Sequence, residues 1–196
     1  MITTTETASV SFLRSRRMVI GSGIAGGMLG LNPISASAAP FLPTGEWRLA
    51  IRNVHNNERF DAVFARGGRF VSAGLAELNH GLRDWRTEEE APMDRRLLAL
   101  LVSLRQSLGV TGGKPFDLIS GYRSPATNAV LRSRGGAHTG VATKSQHMLG
   151  KATDIHLPGV PLERLRDAAR ALGMGGVGYY PKDGFVHVDT ARVRHW

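Results

Sequence analysis

Two short stretches, KATDIHL (residues 151–157) and GFVHVDT (residues 184–190), constrain this chain more than any other feature. Each alternates with the period of two that a β-strand imposes on its side chains. In the first, Ile155 and Leu157 fall on one face and Asp154 and His156 on the other. In the second, Val186 and Val188 oppose Phe185, His187 and Asp189. A strand that is apolar on one side buries that side, so the sheet holding both turns one face to a core and leaves ionisable groups on the other. Paired antiparallel, the two strands bring Asp154 beside His187. His147 lies seven residues before Asp154, and Gly150 between them lets the chain fold back tightly.

The rest of the chain supplies what such a sheet needs. EWRLAIRNVHNNERFDAVFA, from Glu46, reads as two strands around His55-Asn56-Asn57-Glu58, a hairpin. Gly67-Gly68 interrupts it, Val71 to Trp85 follows a helix-like pattern, and the acidic, proline-bearing Arg86 to Met93 reads as a surface loop. Asp94 is placed to cap a helix over RRLLALLVSLRQSLG, whose Leu97, Leu98, Leu101 and Leu104 share a face before a stop at Gly109. Phe116 to Ser120 is a short strand running into GYRSPATN, read as a turn-rich loop. Ser133 to Lys144 is a second loop, rich in Gly, Thr and Arg, of the kind that borders a site. Pro161 opens a helix through Leu172 that Gly173 closes. Gly176 to Tyr180 is a further strand ahead of the Pro181–Gly184 turn. With 42% hydrophobic and 21% charged residues, the 196-residue chain is globular. The expected class is α+β: a small, mostly antiparallel sheet with helices packed on one side.

The amino terminus reads as an export signal. Ser15-Arg16-Arg17 precedes the apolar run MVIGSGIAGGMLGL, and Ala36-Ser37-Ala38 forms a small-x-small cleavage pattern. The run is short and glycine-rich for a membrane span, and paired arginines before it resemble a twin-arginine signal. An uncleaved anchor helix is the other reading; either puts the domain outside the inner membrane. The expected layout is a signal over 1–38, a linker over 39–45 and one domain over 46–196. Without the signal, 22 basic and 15 acidic residues remain, a formal charge of +7. Basic proteins are drawn to polyanions. An exported chain meets anionic wall polymer rather than nucleic acid, and the scattered basic residues form no stripe that would track a phosphate backbone. The membrane is expected to be met only through the signal, and the protein to be a monomer in the periplasm.

The chain has no cysteine, which removes thiolate metal sites, disulfides and a cysteine nucleophile together. Any metal must sit on His, Asp or Glu. His147, Asp154 and His187 form a candidate set of the kind a catalytic Zn2+ uses: three nitrogen and oxygen donors with one position open to water, which the metal makes acidic.

These residues also carry a resemblance. Ser145-Gln146-His147-Met148-Leu149-Gly150-Lys151-Ala152-Thr153-Asp154 is similar to the S-x-H-x-x-G-x-A-x-D motif of the zinc peptidases that group lysostaphin-type enzymes, D-alanyl-D-alanine carboxypeptidases and the hedgehog signalling domain. Ser120-Gly121-Tyr122-Arg123-Ser124 resembles their upstream G-Y-R-S loop, and Phe185 to Asp189 resembles the strand bearing the last ligand. The likeness runs from about Phe116 to Trp196, and the chain's ending looks most like the murein endopeptidase K branch. The resemblance implies a hedgehog/D-Ala-D-Ala peptidase-like fold, with His147, Asp154 and His187 as zinc ligands. It implies that Arg123 holds a substrate carbonyl or carboxylate and stabilises developing negative charge. Ser145, Gln146 and Tyr179 are expected at the substrate, although Ser145 equally suits a turn.

Many relatives of that group carry a Glu three residues before the last ligand as general base; here the position is Gly184. Asp189 is the first replacement, with Asp183 and His156 behind it, unless Asp189 instead supports a ligand histidine. The implied activity is zinc-dependent hydrolysis of peptidoglycan cross-links, of the L,D type between diaminopimelate residues. Carboxypeptidase action on stem peptides and a silent zinc-bearing wall-binding domain are the alternatives.

Overall fold

The computed structural model describes residues 45–110, 113–134 and 141–196. The expected signal and all of the linker but Gly45 lie outside the described residues, as does half of the Ser133–Lys144 loop, residues 135–140. No helix among the described residues is long and apolar enough to cross a membrane.

The hairpin forms where the sequence places it. Strands β1 (Glu46–Asn53) and β2 (Arg59–Arg66) pair antiparallel, and the Asn53 N–H donates to the Glu58 carbonyl to close the turn. After Gly67-Gly68 comes a two-residue strand, β3 (Arg69–Phe70), which the sequence did not announce. Helix α1 (Ser72–Gly81) then lies along β2. It bonds to the outer edge of that strand at its N-cap and at its middle: the Val71 N–H donates to the Phe64 carbonyl, and the Glu77 carboxylate accepts from the Asp61 N–H at 3.4 Å.

Helix α2 (Arg95–Ser107) begins as predicted, with the Asp94 carboxylate accepting from the Arg96 N–H. The other oxygen of Asp94 accepts from the Thr190 hydroxyl at 2.7 Å, so one side chain caps the helix and ties it to the end of the last long strand. Strand β4 (Phe116–Ser120) leads into helix α3 (Pro125–Arg134), where the sequence reading expected a loop. The correction has a simple cause. Ser124 caps the helix through its hydroxyl, which accepts from the Thr127 N–H, and proline suits a first helical position because the N–H it lacks is not needed there.

Strand β5 (Ala152–His156), helix α4 (Leu162–Leu172), and strands β6 (Gly176–Tyr180), β7 (Phe185–Asp189) and β8 (Arg194–His195) complete the domain. The sheet order is β3-β2-β1-β4-β5-β7-β6-β8. The sheet is mixed: β1 meets β4 and β6 meets β8 in parallel, while the other five pairings are antiparallel. The class is α+β.

One face of the sheet is apolar. Leu49, Ile51, Phe64, Leu118, Ile155, Val177, Val186 and Val188 pack with leucines of α1, α2 and α4 into a single buried cluster. Each such side chain, fully buried, contributes about 1.5–3 kcal/mol. This is the ground on which the alternate residues of β5 and β7 are held out over the opposite face.

Candidate metal centre

The register of β5 and β7 sets Asp154 directly opposite His187. His147 comes from a single 3-10 turn, Gln146–Leu149. Ser145 starts that turn by accepting from the His147 N–H, and Gly150 ends it at φ 64°, a left-handed conformation. A side chain at 150 would also meet the Pro92 carbonyl at 2.5 Å. The sharp return expected at Gly150 is therefore present, and it carries the His147 ring back over the two strands.

Three donor atoms converge. His187 Nδ1 lies 2.8 Å from Asp154 Oδ1 and 3.2 Å from His147 Nε2, and the third edge, His147 Nε2 to Asp154 Oδ1, is 3.3 Å. All three residues are buried. A tetrahedral ion with nitrogen and oxygen bonds of about 2.0–2.1 Å holds its ligand atoms roughly 3.3–3.4 Å apart. The triangle fits, with the carboxylate drawn slightly close.

Proton positions make the same point. His147 Nδ1 is 2.7 Å from the Gly121 carbonyl, which only accepts, so this nitrogen carries the hydrogen. His187 Nε2 is 3.1 Å from Asp189 Oδ2 and likewise donates outward. In the neutral rings, the two nitrogens turned inward therefore hold lone pairs, and they face each other and a carboxylate oxygen. Three electron-rich atoms with no hydrogen between them call for a positive charge. The same surroundings favour a positive ring: burial works against charge on His187, yet Asp154 and Asp189 together outweigh it and raise the ring above its ordinary value. Burial alone would raise Asp154, but His147 and His187 hold it well below the carboxylate range. Each ring is thus fixed by a partner behind it, the arrangement that orients metal-binding histidines.

Asp189 is wholly buried behind the centre, not at its mouth. Its carboxylate accepts from His187 Nε2, from both terminal nitrogens of Arg194 (3.0 and 2.6 Å), and from the Gly176 and Ala191 N–H groups. Burial opposes ionisation there, but those donors prevail and keep it ionised well below its usual range.

Arg123 reaches the centre from the loop between β4 and α3. One terminal nitrogen is 3.5 Å from Asp154 Oδ2 and 3.4 Å from the Ser120 hydroxyl. Among the described residues its buried Nε has no hydrogen-bond partner. Burial lowers its proton affinity, partly offset by Asp154. The loop is braced from below: the Tyr122 N–H donates to the Leu82 carbonyl, and the Ser124 N–H donates to buried Asp84.

The centre opens into a cleft of about 250 Å³ lined by Arg123, Lys144, Ser145, Gln146, Tyr180, Asp183, Phe185 and Trp196 as well as the triad. Ser145 and Gln146 line this cleft, and Tyr179 does not. It lies on the helix-covered side of β6, its hydroxyl donating to Glu163 of α4 at 2.6 Å and its ring under Arg166. The period of two puts Tyr180 at the cleft instead, with Trp196, which the sequence reading had passed over. Val177 was the available signal: a buried valine fixes the phase of the strand, and Tyr179 shares its face. His156 faces Asp117 at 3.6 Å, away from the cleft lining. Of the three residues considered as general base, only Asp183 lines the cleft.

The comparisons accord with this arrangement. Residues 43–196 match the family Peptidase_M15_2, described as peptidoglycan L,D-endopeptidase MepK. The peptidoglycan L,D-endopeptidase MepK of Escherichia coli (strain K12) is 41% identical over 186 residues, covering 94% of this chain and 98% of that protein. The probable peptidoglycan L,D-endopeptidase MepK of Haemophilus influenzae is 37% identical over 169 residues, covering 86% and 89%. With the match spanning the whole of the sheet and every residue of the triad, the chain belongs to the Peptidase_M15_2 family of peptidoglycan L,D-endopeptidases.

Proposed function

We propose that this protein is an exported, zinc-dependent peptidoglycan endopeptidase that hydrolyses L,D peptide cross-links between diaminopimelate residues, on a hedgehog/D-Ala-D-Ala peptidase-like fold. The observation that carries the reading is the inward-facing donor triangle of His147, Asp154 and His187, each ring backed by an acceptor. Among the described residues no fourth histidine or carboxylate joins it, which favours a centre open to substrate over a closed structural one. The family and its named relatives support peptidoglycan as the substrate. The paired arginines and small-x-small pattern of the leader support export, by the twin-arginine route.

His147, Asp154 and His187 would hold Zn2+, which when bound polarises the amide carbonyl and makes water a nucleophile near neutral pH. The protein's own residues do the rest. Gly121 and Asp189 keep the two rings in the tautomers that present lone pairs. Arg123, whose buried Nε–H has no partner among the described residues, offers a fixed positive charge to the substrate oxygen. Asp183, the remaining carboxylate of the cleft, takes a proton from water and returns it to the leaving amine, while Asp189 serves as the partner that orients His187. Ser145, Gln146 and Tyr180 line the walls against the stem peptides.

Digestion of purified sacculi, with products identified by mass, tests the reading. Wild-type protein is expected to release cleaved cross-linked dimers, and chelator, His147→Ala or Asp183→Asn to stop or slow this. Protein that binds zinc and leaves dimers and stem peptides uncut would overturn it.

A further inference from the structure

Trp196 lies against the open face of β6, its ring centroid 5.3 Å from that of His187. The backbone secures it there: the Trp196 N–H donates to the Val177 carbonyl, and the Trp196 carbonyl accepts from the Tyr179 N–H. Room for the ring comes from Gly178, because a Cβ at that position would sit 2.6 Å from the indole. From this seat the indole N–H donates to the Tyr180 hydroxyl at 2.7 Å. Phe185 stacks on the Tyr180 ring with centroids 4.7 Å apart. The phenol is thus held at its ring and at its oxygen.

The direction of that hydrogen bond decides what the phenol offers. An indole N–H can only donate, so the Tyr180 oxygen is the acceptor and its own hydrogen points elsewhere. Among the described residues no hydrogen bond from that hydroxyl is found. Tyr180 lines the cleft together with the triad and Arg123. A hydroxyl whose oxygen already accepts a hydrogen bond is also polarised into a stronger donor.

We propose that Tyr180 is a catalytic residue whose hydroxyl donates a hydrogen bond to the scissile amide oxygen as negative charge develops there, paired with Arg123 and aimed by Trp196. Tyr180 keeps its proton throughout. The water oxygen bonds to the carbonyl carbon, the substrate C–N bond breaks, and the proton reaching the leaving amine is the one removed from that water. The proposal rests on the endopeptidase reading, and it goes beyond it in naming a group that acts on the transition state.

Tyr180→Phe removes the donor and keeps the ring; Trp196→Phe keeps a ring and removes the N–H that aims it. On a purified cross-linked muropeptide dimer, Tyr180→Phe is expected to lower kcat by roughly 100- to 1,000-fold with KM nearly unchanged. Trp196→Phe is expected to lose less, since the phenol remains. Affinity for a peptide phosphinate, which carries a charged tetrahedral oxygen, should fall in the same order by calorimetry, with zinc content and Tm at wild-type values. A kcat for Tyr180→Phe within about threefold of wild type, a loss confined to KM, or a parallel loss of zinc would overturn the assignment. Active wild type with fully active Tyr180→Phe overturns this proposal alone. Wild type that leaves the dimer uncut overturns the endopeptidase reading, and this proposal with it.

Discussion

At the scale of single residues, the two histidines differ in the nitrogen they turn inward, Nε2 in His147 and Nδ1 in His187. The choice at His187 follows from Asp189, two residues on and on the same strand face, which claims Nε2. Asp189→Asn weakens that hold and the pull of Arg194 behind it. Zinc affinity is expected to fall by about 10- to 100-fold, measured by competition with a chromophoric chelator. An unchanged affinity would show that Asp189 merely braces β8. Asp154 and His187 were legible as neighbours because strand periodicity and residue type pointed to the same place, while His147, which lies on a 3-10 turn, was reached through its spacing to Gly150 and the resemblance of its motif. Asp189 was legible as a neighbour but not as a saturated one. Its other donors, Gly176, Ala191 and Arg194, belong to a different strand, the following turn and the chain's last strand, and only folding brings them together. Tyr180 was within reach too, had Val177 been used to set the phase of β6.

Among the elements, α3 shows how local chemistry can be misread. Ser124-Pro125 begins a helix as readily as a turn, and what selects the helix is Asp84, forty residues earlier, gripping the Ser124 N–H. Burial would raise the Asp84 carboxyl. Hydrogen bonds from the Thr127 hydroxyl and from the Ser124 and Arg86 N–H groups outweigh it, and its pKa lies below the ordinary value. A carboxyl depressed by folding contributes stability that is fully present above its unfolded pKa, about 3.9, and is lost as the pH falls through the folded value. Asp84→Asn is therefore expected to cost roughly 1–3 kcal/mol near neutrality. Urea unfolding of the two proteins across pH should converge in acid. A gap that persists there would mean the loss is steric rather than electrostatic. Because this clasp carries the loop of Arg123, the segment before α2, where no motif was visible, reaches the centre through the backbone.

Over the whole molecule, one face of the sheet is a core and the other a worksite, and that division was readable from KATDIHL and GFVHVDT alone. The parallel meeting of β1 and β4 was not. It depends on α1 and α2 crossing the sheet between them, a long-range choice that no local pattern encodes. The triad joins a 3-10 turn to two strands, so an ion bound there favours the folded chain. At free zinc about 100 times its Kd, binding adds about 2.7 kcal/mol, a rise in Tm of roughly 5–10 °C for a domain of this size. Calorimetric scans with zinc and with chelator should differ by this much in wild type and hardly at all in His147→Ala. An equal shift in both would place the ion elsewhere. The margins of the sheet have their own consequence. At β2, Val71 and Glu77 already occupy the outward Phe64 carbonyl and Asp61 N–H, and at the far side β8 is only two residues long. Among the described residues, neither rim offers a template on which a peptide can continue the sheet. Stem peptides that mix D and L residues would break the pleat of an L-strand in any case. Side chains of the open face, rather than main-chain pairing, would then have to hold such a substrate, and a surface of that kind is suited to a polymer of mixed handedness.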